Sequence, residues 1–282
     1  MIFTTANGTP VSPLGLGTWY LGERPDRAEQ ELAAIRTGIE EGVNLLDTAE
    51  MYGDGGAEIL LGDAIASYDR EKLFVVSKVY PWNAGRDRIF RACEDSLDRL
   101  DTDYLDLYLL HWRGSVPFAE TVECMQELIR RGLIRNWGVS NLDTADMLQL
   151  AKVPGGKECL TDQVLYHLGS RGIEYDLLPL LQKWDVPVMA YCPLAQAGSL
   201  RRGLLTSPAV REVASSHNAT PQQVLLAFLL SRPNVFPIPR TSSATHAKAN
   251  ARAIDIKLSA EDLALLDSAF PAPRHKVGLD MQ

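Results

Sequence analysis

The sequence predicts an α/β protein, a (β/α)8 TIM barrel with an N-terminal β-hairpin and extra C-terminal helices. Three observations predict it. Short runs, apolar on both faces, alternate with helical patterns along nearly the whole chain, as a buried parallel sheet requires. Eight such runs fit within 282 residues, close to the usual size of this barrel, about 250 residues. Groups able to move or steer a proton also stand at or just past three run ends: Asp47 and Tyr52, then Lys78, then His111. Barrel active sites lie on that rim.

The elements follow in order. Ile2-Phe3-Thr4, a turn at Asn7-Gly8 suited to type I′, and Val11 read as the hairpin. Strands are expected at Leu14–Leu16, Val43–Asp47, Leu73–Lys78, Tyr104–His111, Ile134–Ser140, Cys159–Gln163, Pro187–Tyr191 and Val235–Ile238. Helical patterns lie between them at 27–41, 56–67, 86–100, 118–131, 143–151, 175–184 and 208–231. Two more, 244–253 and 260–269, follow the last strand, the second opened by a capping box, Ser259-Ala-Glu-Asp262. Asp87, Ser207-Pro208 and Thr220-Pro221 are further helix starts, with Pro favoured at a first helical position. No linker or repeat divides the chain, so residues 1–282 are expected to form one domain.

The rival is an open doubly wound sheet. Its dinucleotide fingerprint is missing: Gly15-Leu-Gly17 is followed by Gly22, too late for G-x-G-x-x-G. These glycines are expected to allow close packing at the first strand end instead.

A net charge of −8 argues against nucleic acid or an anionic membrane as partner, since both need a basic face. Cys93, Cys124, Cys159 and Cys192 are widely spaced, which disfavours a disulfide framework or zinc site and fits a reducing compartment. No basic flank precedes an apolar core at the start, and no apolar run has membrane-spanning length. A cytoplasmic protein, monomeric and without metal, is expected.

Each reactive group has a plain explanation when taken alone. An Asp after a strand caps a turn, a lone His is a satisfied buried group, a Lys is solvated, and a Tyr in a Gly-rich loop covers the core. Their placement at successive strand ends favours joint chemistry, the protonation of an oxygen as it gains charge. Free Tyr holds its proton until a pH of about 10. A neighbouring ammonium stabilises the phenolate and makes the phenol a better acid. Asp47 is placed to fix Lys78, and His111 to orient a carbonyl by hydrogen bonding. The set lacks a reductant.

Gly-Leu-Gly-Thr18-Trp19, Leu-Asp47-Thr-Ala-x-x-Tyr52-Gly, Ser-Lys78, Leu-Tyr-Leu-Leu-His111-Trp112, Gly-Val-Ser140-Asn141 and Ile238-Pro239 resemble the aldo-keto reductases, in the expected order from about residue 10 to 270. The resemblance implies reversible hydride transfer between NADPH/NADP+ and a small-molecule carbonyl substrate. It implies Tyr52 as general acid, Lys78 and Asp47 as its tuning pair, and His111 as carbonyl orienter. Ser140, Asn141 and Gln163 would hold the nicotinamide carboxamide and Tyr191 would stack on the ring. Pro193 and Leu194 would continue the pyrophosphate belt, and Thr18, Trp19 and Asp47 would also contact the cofactor. His167 is expected to be structural.

At the adenosine end the family pattern reads here Ile238-Pro239-Arg240-Thr241-Ser242, with Asn250 at the adenine contact. Arg240 suits a 2′-phosphate through its planar fork. Many members carry an Arg where this chain has His246, and an acid where it has Ala249. A narrower likeness is to the bacterial branch that includes methylglyoxal reductases. It rests on Glu50-Met-Tyr-x-Asp-Gly-Gly-Ala-Glu58, Val-Tyr80-Pro-Trp82-Asn-Ala-Gly85 and Tyr166-His-Leu-Gly-Ser-Arg-Gly172. Trp19, Tyr80, Trp82 and Trp112 are expected to wall a pocket for small and aromatic aldehydes. The tail Pro271–Gln282 is expected either to fold over the mouth or to fray. Two rivals from other classes are an NADPH-binding redox-sensing module with vestigial turnover and a metal-dependent barrel hydrolase. The five histidines show no H-x-H pairing for the latter.

Overall fold

The computed structural model describes residues 3–6, 8–195 and 203–281. Eight strands form one parallel sheet in chain order: β1 (Gly15–Gly17), β2 (Leu45–Asp47), β3 (Phe74–Val79), β4 (Leu105–Leu110), β5 (Ile134–Ser140), β6 (Asp162–Leu165), β7 (Val188–Tyr191) and β8 (Val235–Pro237). Each pairs in parallel with the next. The sheet curls back on itself at a bridge between Gly17 and Arg240, where Gly17 N–H donates to the Pro239 carbonyl at 3.1 Å. This is the expected barrel. Gly15 is needed there: a Cβ on it would stand 2.7 Å from Leu45 and 2.9 Å from Ile238.

The helices are α1 (Ala28–Glu40), α2 (Gly56–Ile65), α3 (Ile89–Leu100), α4 (Phe118–Arg130), α5 (Thr144–Leu150), α6 (Leu177–Lys183), α7 (Pro208–Ser216), α8 (Pro221–Leu230), α9 (Ala244–Ala251) and α10 (Ala260–Ala269). The expected single helix at 208–231 is two. Asn218 takes a left-handed φ of 49°, and Thr220 restarts the chain with a capping box on Gln223. The capping box of Ser259 with Asp262 forms as expected. Strand β6 begins three residues later than expected, because a 3-10 turn at Gly156–Glu158 occupies the approach. The hairpin pairs Thr4 with Pro10, flanked by the Val11 N–H on the Phe3 carbonyl at 2.8 Å and the Thr5 N–H on the Thr9 carbonyl at 2.9 Å, while Ile2 and Asn7 lie outside the described residues.

Strand periodicity places the site. Inward-facing Leu45, Phe74, Val76, Leu107, Leu109, Met189 and Ile238 pack with Phe3 and Val11 into one interior cluster. Phe3 stacks on Phe74 and Phe236 at 5.6 and 4.8 Å and seals the N-terminal end. The alternate residues, among them Leu46, Val75, Tyr108 and Val164, face the helices in the larger cluster. Because side chains alternate along a strand, Asp47 follows Leu45 inward, Lys78 follows Val76, and His111 follows Leu109. All three therefore arrive inside the C-terminal rim.

Candidate active site

The loop after β2 owes its shape to Gly53, Asp54 and Gly55, all at positive φ (58°, 50° and 91°). Glycine takes that conformation without strain. The coil turns Tyr52 back over the rim, where it is buried. Lys78 Nζ donates to Asp47 Oδ2 at 2.8 Å, to the Thr48 carbonyl at 2.7 Å and to Tyr52 Oη at 3.1 Å. The three protons of the ammonium are thereby used, and Lys78 is wholly buried. His111 meets Tyr52 edge-on, ring centres 5.8 Å apart. The four expected groups thus converge on one spot.

Burial dominates their acidities. It pushes Asp47 up against the pull of Lys78 and Gln163, and pushes Lys78 down against the pull of Asp47. Burial, then the Asp47 charge, raises Tyr52 well above the ordinary phenol value. The phenol is therefore protonated at rest, and the Lys78 N–H can stabilise negative charge on Oη only as the proton leaves. Burial and then the Lys78 charge hold His111 down at about 2, so it is a neutral imidazole.

Ser140, at the end of β5, donates to the Gln163 carbonyl at 2.8 Å. Asn141 is left-handed (φ 59°); its Nδ2 donates to the His111 carbonyl at 3.1 Å and its Oδ1 accepts from Tyr191 Oη at 2.8 Å. Gln163 Nε2 donates to Asp47 Oδ1 at 2.7 Å. Trp19, Met51, Tyr52, His111, Ser140, Asn141, Gln163 and Tyr191 enclose one small cavity. A larger one, about 570 Å³, adjoins it across Trp19 and reaches Leu194, Arg240, Thr241, Ser242, His246 and Asn250. Its guanidinium and its row of hydroxyls fit an anionic dinucleotide, and the amide-rich end beside Tyr191 fits an aromatic carboxamide.

Other expected residues sit differently. Thr18 is buried, and both its N–H and its hydroxyl go to the Asp47 carbonyl at 3.0 Å, so it braces the loop. Ile238 belongs to the barrel interior, and Pro193 is buried beside the cavities without lining them. Arg240 Nη2 donates to the Tyr20 carbonyl at 3.1 Å. Tyr80 stacks on Trp82 at 4.3 Å, Trp112 meets both edge-on, and Trp112 lies 4.9 Å from His111. Trp19 stands apart from this wall and stacks on Tyr20 at 4.5 Å. The tail lies against the loop after β6, with Asp280 on the Ser170 hydroxyl and Lys276 3.2 Å from Asp176, and lines neither cavity of the site. His167 is buried and accepts the Gly169 N–H at 3.1 Å.

Sequence reasoning missed Met51, Leu205, Thr220, Gln222 and Ser243 as lining residues. Thr220-Pro221 was visible as a helix start, but nothing local signals that this start abuts Asn250. It also missed Asp162, which strand alternation turns toward the helices. Asp162 is fully buried, and burial raises its carboxyl well above the ordinary range.

Among the described residues no cluster of His, Cys, Asp or Glu is placed to hold a metal ion, and no helix is long and apolar enough to cross a membrane. The aldo/keto reductase family model matches residues 13–270. The chain is 58% identical over 268 residues to methylglyoxal reductase YeaE of Escherichia coli, covering 95% of this chain and 94% of that one. It is 31% identical to glyoxal reductase of Bacillus subtilis, covering 93% and 90%. An aldo/keto reductase from Klebsiella pneumoniae, solved with NADP and acetate, superposes with a TM-score of 0.96 at 53% identity, covering 100% and 99%.

Proposed function

Because the chain belongs to the aldo/keto reductase family, we propose that it reduces small aldehydes and ketones to alcohols with NADPH, Tyr52 giving the proton. The observation that carries this reading is the buried Lys78 ammonium bonded to both Asp47 and Tyr52. NADPH, when bound, supplies the hydride that the carbonyl carbon takes up. The chain's own part is proton supply and orientation. Neutral His111 offers one N–H to the carbonyl oxygen and aims it at Tyr52. As charge gathers on that oxygen, Tyr52 transfers its proton, and the Lys78 N–H bond strengthens against the forming phenolate. Asp47 and Gln163 keep the ammonium and the loop in place. Solvent returns the proton to Tyr52 afterwards.

For the cofactor, Arg240, Thr241, Ser242 and Asn250 would hold the adenosine phosphate end. Ser140, Asn141, Gln163 and Tyr191 would hold the nicotinamide end. Methylglyoxal is the proposed small substrate, supported by the 58% identical relative that bears that activity in its name. Aromatic aldehydes are proposed from the Tyr80, Trp82 and Trp112 wall beside His111, since apolar walls discriminate weakly between substrates.

The test follows NADPH oxidation by purified protein with methylglyoxal and with benzaldehyde. Turnover should occur with wild type and fall by about 10²–10⁴-fold in Tyr52→Phe, the usual contribution of a positioned general acid. Full turnover in Tyr52→Phe would sink the assignment.

A further inference from the structure

The turn that carries the aromatic wall is gripped by a carboxylate from the loop that carries Tyr52. Glu50 Oε1 accepts the Tyr80 backbone N–H at 2.6 Å and Asn83 Nδ2 at 3.2 Å. The same turn is closed by the Asn83 N–H on the Tyr80 carbonyl at 2.9 Å. Glu50 therefore holds both ends of a four-residue turn whose crown is Pro81-Trp82. Burial pushes the Glu50 carboxyl up, and the Tyr80 N–H and Asn83 amide pull the other way by bonding its ionised form. Bonds to an ionised carboxylate are the strong kind. Trp82 is 54% exposed, so packing alone anchors it weakly, and its position follows that of the turn.

The wall matters only to a substrate large enough to reach it. Tyr80 and Trp82 touch the reacting rim through Trp112, which leans on His111. A two- or three-carbon aldehyde can meet Tyr52 and His111 within the small cavity, which none of Tyr80, Trp82 and Trp112 lines, whereas an aryl ring that leaves it past His111 would lie against the wall. The ammonium's own partners are Asp47, the Thr48 carbonyl and Tyr52, and Glu50 is not among them.

We propose that Glu50 is a positioning residue for substrate choice, fixing the Tyr80–Trp82 wall relative to Tyr52 and so governing the acceptance of aromatic aldehydes. This rests on the reductase reading above. The experiment compares Glu50→Ala, Glu50→Gln and Asn83→Ala with wild type on benzaldehyde and methylglyoxal, taking kcat and KM separately. Glu50→Ala should raise the KM for benzaldehyde about tenfold, the scale of one apolar pocket contact. Its kcat for both aldehydes and its KM for methylglyoxal should stay within about twofold, inside the ordinary scatter of an unaltered interaction. Glu50→Gln keeps an acceptor oxygen and should recover most of the loss. Asn83→Ala removes one bond from the far side and should give the same split at smaller size, which keeps the test open where Glu50→Ala folds poorly. An equal loss on both aldehydes, or an unchanged KM for benzaldehyde, overturns the inference alone. A wild-type protein inactive on both aldehydes overturns the reductase reading and this inference with it.

Discussion

Gln163 on β6 donates its side-chain N–H to Asp47 on β2 at 2.7 Å, a bond that crosses the mouth of the barrel between residues 116 positions apart. It occupies the carboxylate oxygen that Lys78 leaves, so buried Asp47 has both oxygens bonded. Gln163→Leu should leave one of them bare. The expected cost is about 1–3 kcal/mol, that of an unmade bond to a buried polar group. Urea or thermal unfolding would read it, with kcat/KM falling in parallel. A variant with unchanged stability would show that the bond is not made in solution.

His111 should carry no charge across the working range. Its folded pKa, about 2, lies below the ordinary value of 6.5. Stability from this group is therefore present above pH 6.5 and drains away as pH falls toward 2. The pH profile of kcat should show no limb near 6.5 from this residue, and His111→Gln should lose less stability than wild type between pH 7 and pH 4. An acid limb near 6.5 that vanishes in His111→Gln would contradict the burial argument.

Asp162 has the opposite sign. Its raised pKa makes the folded state the better proton binder, so its contribution is present below the ordinary carboxylate value of 3.8 and is lost as pH rises toward the folded value. Asp162→Asn removes that loss. Melting curves should show the variant gaining on wild type as pH rises from 4 to 8, by on the order of 1–2 kcal/mol at the upper end, the scale of relieving an ill-matched buried polar group. Parallel curves for the two proteins would show that Asp162 is hydrated or paired.

Arg240 lines the large cavity together with Thr241 and Ser242. Under the proposed cofactor reading, Arg240→Ala should raise the KM for NADPH by about 10–100-fold, the value of a charge-assisted fork. The KM for NADH should move far less. Equal changes for both cofactors would remove Arg240 from 2′-phosphate recognition.

Much of this was legible because the barrel repeats one physical rule. Apolar alternation on β2, β3 and β4 sends Asp47, Lys78 and His111 inward, and the glycines after Tyr52 mark a tight coil. What escaped was set by distance in sequence. Thr220 and Gln222 reach the large cavity only because α8 packs beside α9, and the Glu50 latch joins two loops 30 residues apart. Thr18 and Ile238 lie in the right segments, but braced or turned inward, which segment-level reasoning cannot distinguish.

The barrel closes through Gly17 and Arg240, the thinnest ladder in the sheet and the place where the candidate phosphate-binding residue stands. A ligand gripping Arg240 would also clamp the seam between the first and last staves. The Gly17 amide, bonded to the Pro239 carbonyl, then becomes an internal gauge of occupancy. Its hydrogen exchange should slow when the dinucleotide binds, before any aldehyde is added. Cofactor loading and the tightening of that seam would be one event seen from two sides.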